Sequence, residues 1–379
     1  MYNDTLAPFA NGFSVTGHPV HTRSLEVEVD QAEDGRMRAG GRILDLRKHG
    51  FVPTGGDLQM SGFIHNMMVD AWVDPETRVL EVIEPTQPVV AFESSPRIGG
   101  ESCRDTAHHL RDLAGERLDD GFAKKLSQRF GGPLGCSHLL TLTQLLASTL
   151  RGALDLEAVV AKSSPPREPG ERIFKRSLVV DGFEQDDGAR MALTLQQNDV
   201  LTTPFGLVES PLDRFRRQHE VRVLAHVDMQ TMTFADITGE ERTRDRERLV
   251  GPRWESRADL LAPFVGQSAL SGLAASLMSH FGDDPAHRAL LDVMLNFAPG
   301  LIQCMAAMAH RIVEKSQSNE PDTLGGPSIV QLGGQADSCY IWRAGGPGQR
   351  MWGWVDDGGA DLGGVGEGGV GEGGVDEET

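Results

Sequence analysis

His65-Asn66-Met67-Met68-Val69-Asp70-Ala71-Trp72-Val73-Asp74 and His219-Glu220-Val221-Arg222-Val223-Leu224-Ala225-His226-Val227-Asp228 stand 154 residues apart and read in step. In the later stretch His219, Val221, Val223, Ala225 and Val227 share one face, while Glu220, Arg222, His226 and Asp228 share the other. Alternation with period two and one apolar face predicts a half-buried antiparallel strand. Thr77 and Ile83 fall on Thr231 and Ile237 at the same offset, so the register holds through the next turn and strand. Upstream, Arg23-Ser24-Leu25 recurs as Arg176-Ser177-Leu178, and Arg36-Met37 as Arg190-Met191. The chain therefore reads as a tandem duplication.

Each copy reads as strands followed by helices. The first has strands at Ser24 to Asp30, Arg42 to Arg47, His65 to Val73 and Arg78 to Ile83, with turns too short for parallel crossovers. Apolar residues at helical intervals then run from Arg104 to Arg129, as one helix or as two broken near Gly115 or Gly121, break at Gly131-Gly132-Pro133, and resume from Ser137 to Leu154. In the second copy, helices are expected at Arg257 to His280, His287 to Phe297 and Gly300 to Glu314. The predicted fold class is α+β, two tandem copies of an antiparallel-sheet-plus-helices module. The boundaries are an N-terminal arm at 1–20, a first module at 21–160, a linker at 161–171 (rich in Ser and Pro), a second, degenerate module at 172–315, and a tail at 316–379. The tail repeats Gly-Gly-Val-Gly-Glu over Gly363 to Gly374 and is expected to be largely disordered. Tyr340 to Trp354, with three tryptophans among glycines, has no period and no assigned role.

Composition narrows the classes of function. Of 379 residues, 39% are hydrophobic and 24% charged, as in soluble globular chains. The start of the chain has no export signal, and no apolar run approaches a bilayer's thickness, so a cytoplasmic location with no membrane contact is expected. The net charge is −19; eight acidic and no basic residues from Asp356 to Thr379 leave −19 + 8 = −11 on the body. Phosphate backbones repel such a surface, which argues against nucleic acid as a partner. Four scattered cysteines without a CxxC pair exclude a disulfide framework and a tetrathiolate zinc site. Phosphate-binding loops, Gly-x-Ser-x-Gly elbows and HExxH helices are all missing from the sequence.

The element that can carry chemistry is Gly135-Cys136-Ser137-His138-Leu139, where a glycine-rich break enters a helix. A thiol at a helix start meets free N–H groups and the positive end of the helix dipole, which lowers its pKa. Ser137 reads as the N-cap. His138 offers a second ligand or a proton-transfer group, and His65, on the buried face of its strand, a third. The opposing reading is that Cys136 packs as a small hydrophobe and His65 satisfies a strand end, as its counterpart His219 would. In the second copy the matching helix start reads as Gly300-Leu301-Ile302-Gln303-Cys304, with the polar pair lost. His108, His109 and Glu101 read as solvated residues, and Asp70 and Asp74 as surface and turn residues.

On Ile64-His65-Asn66-Met67, Leu118-Asp119-Asp120-Gly121-Phe122 and Gly135-Cys136-Ser137-His138-Leu139, the first module resembles an uncharacterised bacterial family, domain of unknown function 2889. The resemblance runs from about Arg23 to Arg151. It implies an Asp where this chain has Asn66, and a cysteine near Pro88 that is absent here. It brings no reaction with it. Two functions stay open. One is an enzyme, a lyase or hydrolase, acting on a small acyl or aromatic substrate through Cys136, His138 and His65. The other is a non-catalytic binding or partner subunit built from pseudo-symmetric modules. The sequence names no cofactor and leaves open both metal binding by Cys136 and His138 and assembly into a homo-oligomer.

Overall fold

The computed structural model describes residues 15–54, 57–162, 164–282, 284–311, 334 and 336–351. Residues 1–14, the repeat at 363–374, Trp352 and Trp354 lie outside them. The class is α+β, organised on one large antiparallel sheet of nine strands in the order β4-β3-β2-β1-β5-β6-β7-β8-β9.

The first four strands are β1 (His18–Gln31), β2 (Met37–Thr54), β3 (Asp57–Val73) and β4 (Leu80–Val89). The next four are β5 (Arg172–Gln185), β6 (Arg190–Thr202), β7 (Phe215–Asp228) and β8 (Thr233–Asp245), and β9 (Glu255–Ser256) closes that side. Each set of four is a meander, and the two join through their first strands. Leu25 pairs with Leu178, Arg23 with Val180, and Val27 with Arg176. The strands are longer than the sequence suggests, because residues that read as breaks lie within them. Gly40-Gly41 sits inside β2, where a Cβ on Gly41 would lie 3.1–3.2 Å from the Leu142 and Leu146 side chains. The glycine lets a helix approach the sheet rather than ending the strand.

The turns of the two meanders are built alike. Asp74 Oδ1 accepts the N–H groups of Glu76 and Thr77 at 3.0 and 2.7 Å, and Asp228 Oδ1 those of Gln230 and Thr231 at 2.9 Å. Arg78 and Met232, which end these turns, both take left-handed φ, 61° and 54°. This is the turn chemistry expected of Asp74.

One face of the sheet carries the core. Val20, Leu25, Val27, Ile43, Met67, Leu178, Val180 and Val223 are all buried there under the helices. Helix α1 (Phe122–Phe130) is short and separate from the segment upstream, so the run from Arg104 is broken between Gly115 and Gly121 as its glycines suggest; the upstream piece, Ala107–Leu113, is a 3-10 segment and not an α-helix. Helix α2 (Ser137–Val160) crosses β1, β2, β3 and β5. From the second half come α3 (Ala258–Leu261), α4 (Leu273–Phe281), α5 (Arg288–Leu295) and α6 (Phe297–Ala307). Helix α6 reaches across the middle of the sheet onto β1 and β2. There a Cβ on Gly182 would stand 2.1 Å from Cys304 Sγ, so β5 needs glycine at that point. Gly300, expected at a helix start, lies inside α6. The helical run Pro285–Arg311 is apolar and long enough to cross a membrane, but 72% of its apolar 18-residue window is buried in the protein.

Residues 164–171 are tied to the body through Arg167 and Gly170, whose N–H donates to the Gln31 carbonyl at 2.7 Å. The buried Arg167 bonds Glu157 in α2 at 2.8 Å through both Nε and Nη2, and donates to the Thr202 carbonyl at 2.8 Å. At the far edge, β4 contains Pro85 and Pro88, and its Leu80 backbone bonds Gly115 and Glu116 of the following loop.

Candidate functional site

Inward positions of three neighbouring strands bring polar groups together beneath the start of α2. Residues His21 and Arg23 come from β1, Asp45 and Arg47 from β2, and His65 from β3. All are buried, although strand positions facing a core are normally apolar. A bulge in β3 assists: Asp45 pairs with His65 while Leu46 pairs with Phe63, so the extra residue turns both Ile64 and His65 inward.

Asp45 is the centre. Its side chain is fully buried. Oδ1 accepts from His21 Nε2 at 2.9 Å and Arg23 Nε at 2.8 Å, and Oδ2 accepts from Arg23 Nη2 at 3.0 Å. Two more imidazoles converge on Oδ2: His65 Nδ1 at 3.2 Å and His138 Nε2 at 3.4 Å. Neither is aligned for a hydrogen bond, and both nitrogens are buried without a hydrogen-bond partner. The two rings lie 3.8 Å apart between centroids, tilted by 35°.

The protonation states follow from this crowding. Burial alone would raise the Asp45 carboxyl, but the charge of Arg23 and the neighbouring His21 and His65 hold it well below the usual carboxylate range. Burial lowers His21 and His65, and it puts His138 well below an ordinary imidazole, with His65 and Arg23 adding to the effect. At neutral pH the cluster is one carboxylate among neutral imidazoles.

The start of α2 is shaped by glycine. A Cβ on Gly135 would meet the Phe130 carbonyl oxygen at 2.2 Å, so the chain passes here only as glycine. Cys136, not Ser137, occupies the N-cap position. Its Sγ lies 4.0 Å from His138 Nδ1 and 3.9 Å from Met67 Sδ. The thiol is not activated. Burial pushes it up to about 12, outweighing the backbone N–H groups of Leu139 and His138 that favour the thiolate. The helix-start argument fails here because desolvation of a charged sulfur is the larger effect. Cys136 instead faces the ring nitrogen of His138 that points away from Asp45.

A cavity of about 150 Å³ opens beside the cluster, and His65, Cys136, His138 and Arg47 line it. Its remaining wall is mostly apolar, including Val52, Phe92, Ile302, Ile341 and Trp342. The segment from Ser338 to Trp342, which the sequence left without a role, is part of that wall. The Tyr340 N–H donates to the Gly135 carbonyl at 2.8 Å and its hydroxyl to Glu101 Oε1 at 2.9 Å; Arg343 and Arg350 also grip Glu101. Burial would raise Glu101, but these three partners bring it down to about 2. Three of the four cysteines (Cys103, Cys136 and Cys339) line the same cavity.

Other candidates are dispersed. Asp70 bonds Arg38 on the opposite sheet face, and Asn66 bonds Arg42 there at 3.0 Å. Asn66 in place of the carboxylate that the resemblance implies therefore takes nothing from the cluster, where Asp45 supplies the carboxylate. Cys304 is packed in the core and His219 faces Glu241 at 3.4 Å. His108 and His109 stack on each other away from the cavity. Asp45, Arg23, His21 and Arg47 escaped the sequence reading, although one signal was present. Carried back to β1 and β2, the period-two rule puts all four among the inward positions.

Fold and site together define an α+β protein in which an antiparallel sheet and the start of α2 build a buried cluster of three histidines around one carboxylate beside a small cavity. Residues 21–151, which supply that whole cluster, match the model of a family described as a protein of unknown function (DUF2889), so the first module is similar to that family as its motifs suggest. No curated protein and no solved structure matches the chain.

Proposed function

We propose that this chain is an enzyme acting on a small organic molecule at a mononuclear metal centre held by Asp45 Oδ2, His65 Nδ1 and His138 Nε2. One observation carries the reading: two buried imidazole nitrogens with no hydrogen-bond partner converge on a single carboxylate oxygen. The three donor atoms lie within 4.8 Å of one another. Bonds of about 2.0–2.1 Å to a tetrahedral ion put ligand atoms roughly 3.3–3.4 Å apart, close to the 3.2 and 3.4 Å found here. Neutral imidazoles and an ionised carboxylate are also the protonation states that a cation requires. Two nitrogens and one oxygen suit a first-row divalent ion.

A divalent ion there would polarise a substrate carbonyl and make a bound water acidic, which fits hydrolysis or elimination. The protein's own part is orientation and shielding. Arg23 holds both oxygens of Asp45 and His21 holds Oδ1, leaving the second lone pair of Oδ2 for an ion shared with the histidines. The neutral Cys136 thiol sits against His138 Nδ1 and favours the ring orientation that turns Nε2 to the cluster. The apolar wall excludes water from the reacting groups.

The reading that the chain is two copies of one module belongs here as well. The recurrence of the bidentate Arg23–Asp45 pair as Arg176–Asp199, at 2.8 and 2.7 Å, supports it, as do the matching turns. In the second half Asp292 and Gln197 bond the Arg176–Asp199 pair and Ser148 bonds Asp292, so no imidazole meets that carboxylate among the bonds of the described residues.

The test is elemental analysis of the purified chain, followed by titration with zinc, iron(II) and manganese. The expected result is one equivalent bound, lost in His138→Ala and in His65→Ala while circular dichroism is unchanged. If no ion binds with micromolar or better affinity, the metal centre is refuted.

A further inference from the structure

We propose that the cavity takes a small carboxylic acid with an apolar body, and that Arg47 is the anchor for its carboxylate. This rests on the cavity being the substrate site argued above and adds the substrate class.

Arg47 is 3% exposed and lines the cavity. Its guanidinium donates from Nη1 to the Gln59 carbonyl at 2.9 Å and from Nη2 to Gln59 Oε1 at a long 3.5 Å. Its Nε is buried with no hydrogen-bond partner. Among the described residues no carboxylate lies within ion-pair distance of it. Asp45, two residues away in β2, is already committed to Arg23 and His21. Every other buried arginine on the inner face has its own acid: Arg23 has Asp45, and Arg176 has Asp199 and Asp292. A cation stripped of water without a counter-charge is costly enough that proteins rarely keep one without use. Among the described residues, Arg23 and Arg47 are the only Lys, Arg, Asp or Glu side chains lining the cavity, and Arg23 is neutralised, so these walls carry one uncompensated positive charge.

The ligand's remainder follows from the walls. The planar guanidinium fork suits a carboxylate. Val52, Phe92, Ile302, Ile341 and Trp342 offer no further charge to a second anionic group. A space of about 150 Å³ accommodates a single ring or a short acyl chain. The geometry thus selects an aromatic or short aliphatic monocarboxylate, with its carboxylate on Arg47 and its body toward Phe92 and Trp342.

The experiment measures binding of benzoate, hexanoate, benzamide and inorganic phosphate by calorimetry and thermal shift, in the metal-loaded and the metal-stripped chain. Benzoate or hexanoate is expected to bind at least tenfold more tightly than benzamide or phosphate. Arg47→Met should lose that preference while unfolding at the same or a higher temperature, since it removes an unpaired buried charge, and Arg47→Lys should keep part of it. Absence of carboxylate binding, equal binding of benzoate and benzamide, or unchanged benzoate affinity in Arg47→Met overturns the proposal. Carboxylate binding that fails while one metal equivalent is retained defeats this inference alone. Carboxylate binding that persists in a chain which takes up no metal defeats the metal centre alone.

Discussion

At the scale of single residues, Asp45 bears the heaviest demand. It neutralises Arg23, whose side chain is only 2% exposed, and it orients His21. Asp45→Asn strands a buried guanidinium, so equilibrium denaturation should register a loss of about 3–5 kcal/mol. Arg23→Met in that background should restore a large part of it; a strictly additive double variant would refute the pairing. The histidines set a pH response. Their folded-state values lie below the ordinary 6.5, so the unfolded chain binds protons first as the solution is acidified. Stability of the metal-stripped chain is therefore full above about pH 6.5 and falls below it. Each of the three contributes a slope of up to about 1.4 kcal/mol per pH unit. A flat profile between pH 7 and 5 would contradict the neutral cluster. Of these residues, the sequence made His65, Cys136 and His138 legible through a local motif. Asp45 and Arg23 were not, because their significance lies in a cross-strand meeting that no spacing along one strand reveals.

At the scale of elements, β1, β2 and β3 place the cluster, and α2 and the segment at 336–351 close over it. Strand existence was readable from alternation, but extent was not. Gly41, which precedes the strand expected from Arg42, lies inside β2 and is the seat of Leu142 and Leu146. The 3-10 course of Ala107–Leu113 was hidden because its leucines keep a spacing that also suits an α-helix. Tyr340 to Trp342 was opaque for another reason: it has no period of its own and is held by contacts to Gly135 and Glu101. Glu101→Gln removes the charge that gathers Arg343 and Arg350, and amide exchange around 338–350 should quicken roughly tenfold, the equivalent of about 1.4 kcal/mol. Exchange within β1 to β3 should not change. Protection that is identical in both proteins would show that the apolar contact of Ile341 with Phe92 and Ile98 holds the segment unaided.

At the scale of the whole molecule, both halves share one sheet and one core, a fact beyond reach of the sequence because the β1–β5 pairing joins strands some 150 residues apart without any local signal. Residues 15–162 produced alone would expose all of β1 as a bare edge together with the Leu25 and Val27 side of the core. Such a fragment should aggregate or remain partly unfolded, whereas residues 15–351 should melt in one transition. A soluble, monomeric fragment with a sharp melt would contradict this account. The joined meanders also decide where the sheet can recruit another chain. With the two first strands consumed by each other, the free margins among the described residues are the outermost ones. On one side Pro85 and Pro88 cannot donate to a newcomer, and on the other β9 covers only Glu240 and Glu241 of the longer β8. Crowding this protein should therefore not seed fibrils from the β4 margin, and any lengthened ladder must begin beside the stretch of β8 that β9 leaves uncovered.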